Sequence, residues 1–120
     1  MSFEPLLTEL LEGVDGAISA AMFDAEGEMV QIVGRKGIDR HRLQLIGAYE
    51  SIFHRQLLDM LALSPLEKIT CHFTWYSRGI ILTYPLGDGY LLQLYGEPDC
   101  NVGQAFHHMR AAYARILAEM

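Results

Sequence analysis

The chain has 120 residues, a formal net charge of −6 and a hydrophobic fraction of 51%. This length predicts a single domain spanning residues 1–120, with a core large enough to need no disulfide or metal staples. The acidic charge argues against nucleic acid as a partner, because it repels phosphate backbones.

The first half of the chain predicts a helix, a hairpin and a long helix. Apolar residues recur at helical spacing from Phe3 to Leu11, Pro5 suits the first turn and Gly13 suits the end. Residues 17–24 and 28–33 then alternate as two strands, and Gly27 can take the left-handed position of the turn between them. Asp39 can cap a helix over residues 40–62, which ends before Ser64-Pro65.

The second half predicts three strands and a last helix. Residues 68–76, 79–86 and 90–95 are strand-like and joined by short turns, which indicates an antiparallel meander. Asn101 is a good N-cap for the final helix, and Gln104 stands in the capping-box position. Helices and strands in this segregated order predict an α+β fold with helices packed on an antiparallel sheet.

The central helix is unusually apolar around its circumference. Placed at 100° steps, its apolar side chains cover roughly 180°, whereas roughly 100° is enough to cover one sheet. We therefore expect one part of this arc to face the domain's own sheet and the rest to face a second chain; the alternative is a helix buried more deeply by its own neighbouring loops. The expected inward set is Leu43, Ile46, Phe53 and Leu57, and the expected dimer-interface set on the helix is Leu45, Tyr49, Ile52 and Met60.

The strand over residues 68–76 adds a second candidate contact. Its stretch from Thr70 to Thr74 contains no charge and no proline, so an unprotected edge there could pair with its copy across a two-fold axis. Thr70, His72 and Thr74 are therefore added to the predicted dimer interface.

Several motifs together resemble the roadblock/dynein light chain family over nearly the whole chain. They are the end of the entry helix at residues 11–17 (LEGVDGA), the hairpin at residues 22–27 (MFDAEG) and the Asn101-Val102-Gly103 start of the last helix. The resemblance implies a five-stranded antiparallel sheet between one long helix and two terminal helices, a roadblock/profilin-like arrangement. It also implies homodimers, or heterodimers with a paralogous chain, paired through the central helices and third strands.

The same resemblance implies a function. Proteins of this family act as regulators or platforms for Ras-like small GTPases, some attach cargo to dynein, and bacterial members act with a GTPase in polarity or motility systems. For this chain it predicts a non-enzymatic scaffold that binds a Ras-like GTPase. We place the predicted partner-binding surface on the polar side of the central helix, at Gln44, Ser51, Arg55, Leu58 and Asp59.

The sequence carries no pattern for catalysis or for a cofactor. The glycine-rich stretches at residues 13–16 and 87–89 lack the phosphate-loop pattern, and no G-x-S-x-G elbow occurs. The five histidines show no zinc-site spacing, so we expect solvent-exposed or interface histidines. We predict neither an enzyme nor a metal or cofactor site; a hydrolase or metalloenzyme finds no support in the spacing.

Cellular location and one alternative function complete the predictions. Neither a signal peptide nor a run of about 20 apolar residues is visible, and the two cysteines form no C-x-x-C pair, which favours a cytoplasmic protein with free thiols. The alternative is a small-molecule-binding sensory domain of helix-on-sheet type. Small residues at Ala20, Ala21, Gly47 and Ala48 could line its pocket, or could simply allow close packing.

Overall fold

The computed structural model of the chain describes residues 2–62 and 64–120. In chain order the elements are α1 (Glu4–Gly13), β1 (Ala17–Phe23), β2 (Met29–Gly34), α2 (Arg40–Leu61), β3 (His72–Tyr76), β4 (Gly79–Gly87), β5 (Tyr90–Gly96) and α3 (Val102–Glu119). The strands form one antiparallel sheet in the order β2-β1-β5-β4-β3. This confirms the predicted fold class and places β3 at an edge.

The main core lies between one face of the sheet and the two terminal helices. Leu7 and Leu10 of α1 and Met109 and Ile116 of α3 are almost completely buried there. The apolar stripes read from the sequence are therefore the faces that these two helices turn to the sheet.

The opposite face of the sheet is covered by α2. A Cβ atom at Gly47 of this helix would overlap the ring of Phe23, a fully buried side chain of β1. The missing side chain thus lets the backbone of α2 approach the sheet closely. The structure confirms the arrangement that the family resemblance implied, with the long helix on one face of the sheet and the terminal helices on the other.

Local sequence signals explain how the elements begin and end. The side chain of Asp39 accepts a hydrogen bond from the amide of Arg42 at 3.1 Å and caps α2. In the β1–β2 turn, one carboxylate oxygen of Asp24 accepts bonds from two amides at 3.0 Å, and Gly27 has a φ of 82°. The predicted hairpin and cap are confirmed.

The predicted capping box at α3 is wrong in one half. Asn101 does accept a bond from the amide of Gln104 at 3.0 Å. The side chain of Gln104, however, accepts from the amide of Asp15 at 2.9 Å rather than turning back to Asn101. It ties α3 to the loop after α1, and the amide of Asn101 is satisfied by the carbonyl of Asp15 instead.

The third strand is shorter than predicted. β3 begins at His72, which pairs with Thr83, and residues 68–71 lie outside the strand. Continuing this register would set Thr70 opposite Pro85. Proline has no N–H to donate, so a ladder hydrogen bond from that residue is impossible. The strand pattern of residues 68–71 therefore finds no full partner on β4.

Candidate functional site

The central helix α2 turns a small and polar surface toward its own sheet. Its buried residues are Leu43, Gly47 and Ser51. Glu50 and His54, on the same side, are partly buried. A helix that packs through these residues buries little apolar area, and so gains little from the hydrophobic effect.

The opposite side of α2 is apolar and faces outward. We call this surface the apolar outer face, and it consists of Leu45, Tyr49, Ile52, Phe53 and Met60. At 100° steps these side chains fall within roughly 100° of arc, on the far side of the helix from Gly47. Tyr49 is 68% exposed and Met60 is 78% exposed, so the described part of the chain leaves this side of the helix open. Contiguous apolar surface of this kind marks an interaction site.

The structure corrects part of the inward-facing prediction. Leu43 is buried as predicted, whereas Ile46 and Leu57 are only half-buried. Phe53 was predicted to face the sheet but is 42% exposed. Its ring meets the edge of His72 at a centroid distance of 5.5 Å, so it borders the sheet without entering the core. Pattern alone could not separate these positions, because both sides of the arc are apolar.

The predicted partner-binding residues divide into two groups. Gln44, Arg55, Leu58 and Asp59 are exposed on α2. Ser51 is not: it is 5% exposed and packs toward the sheet beside Gly27, so its placement on the polar outer side is wrong. A small hydroxyl side chain is tolerated there because it permits the helix to lie close to the hairpin.

The predicted interface residues of the third strand also take different places. Thr74 is exposed on the edge strand. The side chain of His72 turns under α2 and is only 10% exposed, which leaves the backbone edge of this residue for contact with another strand. Thr70 lies outside β3 altogether and is exposed.

Between α2 and the sheet lies a buried polar layer that sequence reasoning missed. We call it the polar seam, and it comprises Glu50, Ser51 and His54 of α2, His72 of β3, Thr83 of β4 and Gln93 of β5. One carboxylate oxygen of Glu50 lies 3.3 Å from Nδ1 of His72 and accepts a hydrogen bond from the Thr83 hydroxyl, also at 3.3 Å. The His54 and His72 rings stack at 5.6 Å.

Burial changes the protonation of this seam. It raises the pKa of Glu50, which the hydrogen bond from Thr83 partly offsets, and it lowers the pKa of His54. Burial, together with the neighbouring His54, lowers the pKa of His72 to about 4. The nearby Glu50 carboxylate acts in the other direction, because a negative charge favours the imidazolium. With both pKa values lowered from an ordinary value of 6.5, His54 and His72 are neutral at pH 7.

Four buried polar atoms in the seam have no hydrogen-bond partner among the described residues. They are Ser51 Oγ, His54 Nδ1, His72 Nε2 and Gln93 Nε2. An unsatisfied buried polar atom costs about 1–3 kcal/mol. The signal available in the sequence was the Glu50–His54 spacing of four residues, together with Thr83 and Gln93 inside otherwise apolar strands. That signal predicts a polar layer only once the two strands and the helix are known to face each other.

The four small residues proposed to line a pocket take two different places. Ala20 and Ala21 are buried within β1, and Gly47 lies against Phe23, so these three serve close packing and the pocket-lining interpretation is wrong for them. Ala48 does line a cleft, of about 210 Å³, between α2 and the β1–β2 turn.

The described part of the chain shows neither a metal-binding cluster nor a membrane-spanning helix. Within residues 2–62 and 64–120, no cluster of three or more His, Cys, Asp or Glu side chains is arranged to hold a metal ion. No helix in the same ranges has the length and apolarity needed to cross a bilayer.

The arrangement of helices and sheet is that of roadblock/LC7 domains. A roadblock/LC7 domain from Streptomyces avermitilis superposes with a TM-score of 0.79 at 12% identity, over 92% of this chain and 91% of that one. The gliding protein MglB from Thermus thermophilus gives 0.77 at 18% identity, over 98% and 90%. An MglB solved in a tetrameric arrangement gives 0.76 at 19% identity, over 98% and 88%.

Sequence comparison adds no relative to these structural matches. No protein-family model matches the sequence. No curated protein is significantly similar to it. At identities below 20% the structural matches establish the shared fold, whereas activity has to be argued from the site itself.

Proposed function

We propose that this protein is a non-enzymatic dimeric scaffold that regulates a Ras-like small GTPase. The observation that carries the proposal is the apolar outer face of α2, which lies beside the edge strand β3. The shared fold with bacterial gliding proteins supports a regulatory role, and the tetrameric arrangement recorded for one MglB supports self-association.

A two-fold dimer would use both exposed features at once. Pairing of two β3 strands would satisfy backbone groups that are otherwise left to water. The same operation would bring the outer faces of two α2 helices together, because a two-fold axis matches one surface patch with its own copy. Leu45, Tyr49 and Ile52 then exchange solvent for apolar contact.

The dimer can be tested by a charge placed in this face. Ile52 is 43% exposed, so Ile52→Glu is tolerated by the isolated fold but leaves an unpaired carboxylate in a dimer interface. We expect light scattering to give a dimeric mass for the native protein and a monomeric mass for Ile52→Glu. The matched control is Leu66→Glu, since Leu66 is 93% exposed outside α2 and should leave the dimer intact. A monomeric native chain would refute the proposal.

The GTPase would dock on the polar shoulder of α2 next to this interface. Gln44, Arg55 and Asp59 are exposed there, and their amide, guanidinium and carboxylate groups can hydrogen-bond to a polar partner surface. Regulation would come from ordering the GTPase's own switch segments, since this chain has no phosphate loop of its own.

Binding is tested with the Ras-like GTPases encoded in the same genome, each loaded with a non-hydrolysable GTP analogue or with GDP. We expect one of them to bind in a nucleotide-dependent way in biolayer interferometry. Arg55→Glu should weaken that binding at least tenfold without changing the dimeric mass, which separates the platform from the interface. Equal binding of Arg55→Glu and the native dimer would place the platform elsewhere, and no binding to any GTPase would leave the regulatory role without support.

A further inference from the structure

The shortened β3 leaves a gap at one end of the sheet. β3 pairs with β4 only as far as His72 opposite Thr83, whereas β4 continues to Gly87. Beyond Thr83 none of the described strands lies beside this edge of β4. Residues 67–70 run past it on the far side of a cleft of about 470 Å³.

The cleft is walled by elements from both faces of the sheet. α2 contributes His54 and Leu58, and α3, which packs on the other face, contributes Tyr113 and Leu117. Both helices reach the same cleft because β3 stops short of this point. A volume of this size is within the range of small-molecule sites, roughly 300–1,000 Å³.

The chemistry of the walls selects an amphipathic molecule. Leu58, Ile69, Leu86 and Leu117 offer apolar surface, and Tyr113 adds an aromatic ring. At the rim Glu67 and Lys68 carry opposite charges, so together they favour neither an anion nor a cation. An uncharged ligand therefore suits the cleft better than a charged one.

His54 connects the cleft to the polar seam. Its ring lines the cleft and also stacks on His72, and its buried Nδ1 has no partner among the described residues. On the other side of the two rings, the carboxylate of Glu50 contacts Nδ1 of His72. His54 is thus the polar group on the wall of the cleft. Because Nδ1 is itself buried, a molecule in the cleft would hydrogen-bond to the other ring nitrogen, Nε2. A hydroxyl group fits either imidazole tautomer, because it can both donate and accept a hydrogen bond.

From this geometry we propose that the cleft is a binding site for a small uncharged molecule with an apolar or aromatic body and a hydroxyl head that hydrogen-bonds to His54. The site is separate from the apolar outer face and does not depend on the proposed function. It revives small-molecule sensing at a place other than the small residues of β1 and α2.

The proposal is tested with 4-propylphenol and two matched probes, titrated into the ¹⁵N-labelled protein. We expect saturable shifts of amide signals around the cleft, including those of Thr70 and Gly87. 4-Propyltoluene, in which a methyl group replaces the hydroxyl so that the probe can neither donate nor accept, and 4-propylbenzoate, which is charged, should each bind at least tenfold more weakly. Shifts confined to the apolar outer face, or equal affinity for all three probes, would overturn the proposal.

Variants locate the site. Leu117→Trp should fill the cleft and abolish binding, whereas Leu66→Trp, which adds the same ring outside it, should not. Ile69→Trp repeats the filling test from a residue outside the helices, should Leu117→Trp disturb α3. His54→Phe keeps an aromatic ring and removes both nitrogens, so the phenol affinity should fall at least tenfold, to that of 4-propyltoluene.

Two results would contradict the assignment. Unchanged phenol affinity in His54→Phe would show that the imidazole nitrogens of His54 take no part in binding. A loss of dimer mass in both filled variants, with no probe binding to the native protein, would show that the cleft belongs to a contact between copies of the chain.

Discussion

Adding one methyl group at Gly47 should destabilise the protein, although alanine is the better helix former. In an open helix interior, Gly→Ala is worth about 1 kcal/mol in favour of folding. At Gly47 the new Cβ would overlap the ring of Phe23, which is fully buried. Overpacking of this kind costs about 1–3 kcal/mol, and the contact also sets the spacing between α2 and the sheet.

Because the overlap is with ring atoms of a buried side chain, the upper part of that range, about 2–3 kcal/mol, applies, and after the gain in helix propensity Gly47→Ala should lose a net of about 1–2 kcal/mol. For a domain of this length that lowers the melting temperature by roughly 4–8 °C. The control is Gly103→Ala in α3, where a Cβ meets nothing closer than 3.5 Å among the described residues. That substitution should stabilise the protein by about 0.5–1 kcal/mol.

Urea unfolding at one fixed protein concentration measures these differences without a contribution from mass action. The double variant Gly47→Ala/Phe23→Leu should recover about 1 kcal/mol or more relative to the sum of the single changes, because the smaller side chain relieves the overlap. If Gly47→Ala proves at least as stable as the native protein while Gly103→Ala behaves as expected, the close approach of α2 to the sheet is refuted.

Three further changes test the seam and the caps. Burial depresses the pKa of His72 to about 4, so the unfolded chain takes up this proton first and stability falls as the pH drops from 6.5 toward 4. The raised pKa of Glu50 has the opposite effect, since it lowers the free energy of unfolding as the pH rises above 4.5. Glu50→Gln should therefore make the free energy of unfolding, measured by urea titration, fall more steeply between pH 7 and pH 5. An unchanged slope would show that the two groups do not oppose each other. Asn101→Ala removes the cap of α3 and should lower the free energy of unfolding by about 1 kcal/mol, measured by circular dichroism melting. Asn101→Asp keeps an acceptor oxygen and should retain most of the stability. Asp24→Ala removes two hydrogen bonds from the hairpin turn and should cost about 1–2 kcal/mol, whereas Asp24→Asn, which keeps the acceptor oxygen, should cost less than half as much.

Local signals in the sequence were sufficient to predict the helices, the strands and the α+β class, whereas the placement of the helices on the two faces of a five-stranded sheet came from the family resemblance. The hairpin turn, the Asp39 cap and the Asn101 cap lie where side-chain chemistry places them. The terminal helices have single apolar stripes, which leave one choice of buried face. Strand alternation and short loops then account for the meander from β3 to β5.

The orientation of α2 could not be predicted in the same way. Its apolar arc is wide enough to support two rotations about its axis, and the hydrophobic pattern favours burying Phe53. The rotation is decided by the close approach of the helix to the sheet at Gly47 and by the burial of Ser51 and Glu50 between the helix and the sheet. Those are properties of the facing strands, which place Phe23, Thr83 and Gln93 on that side, and the helix sequence alone does not contain them.

The length of β3 was missed for a similar reason. Residues 68–71 alternate as a strand should, but the neighbour they would need is Pro85, seventeen positions beyond residue 68 in the chain. A proline in one strand limits another only when the register between them is known. The cleft that results was therefore invisible in the sequence.

The sheet has two edge strands, and only one of them would be paired if two chains join through β3. The other, formed by β2, would lie at both ends of a continuous sheet made from two five-stranded halves. A long flat border of that kind invites further chains to add on and build fibres. β2 is six residues long, and the ladder beside it carries an irregularity between Met22 and Phe23. Short length and a local twist restrict such growth, so the assembly would end at a closed pair instead of propagating.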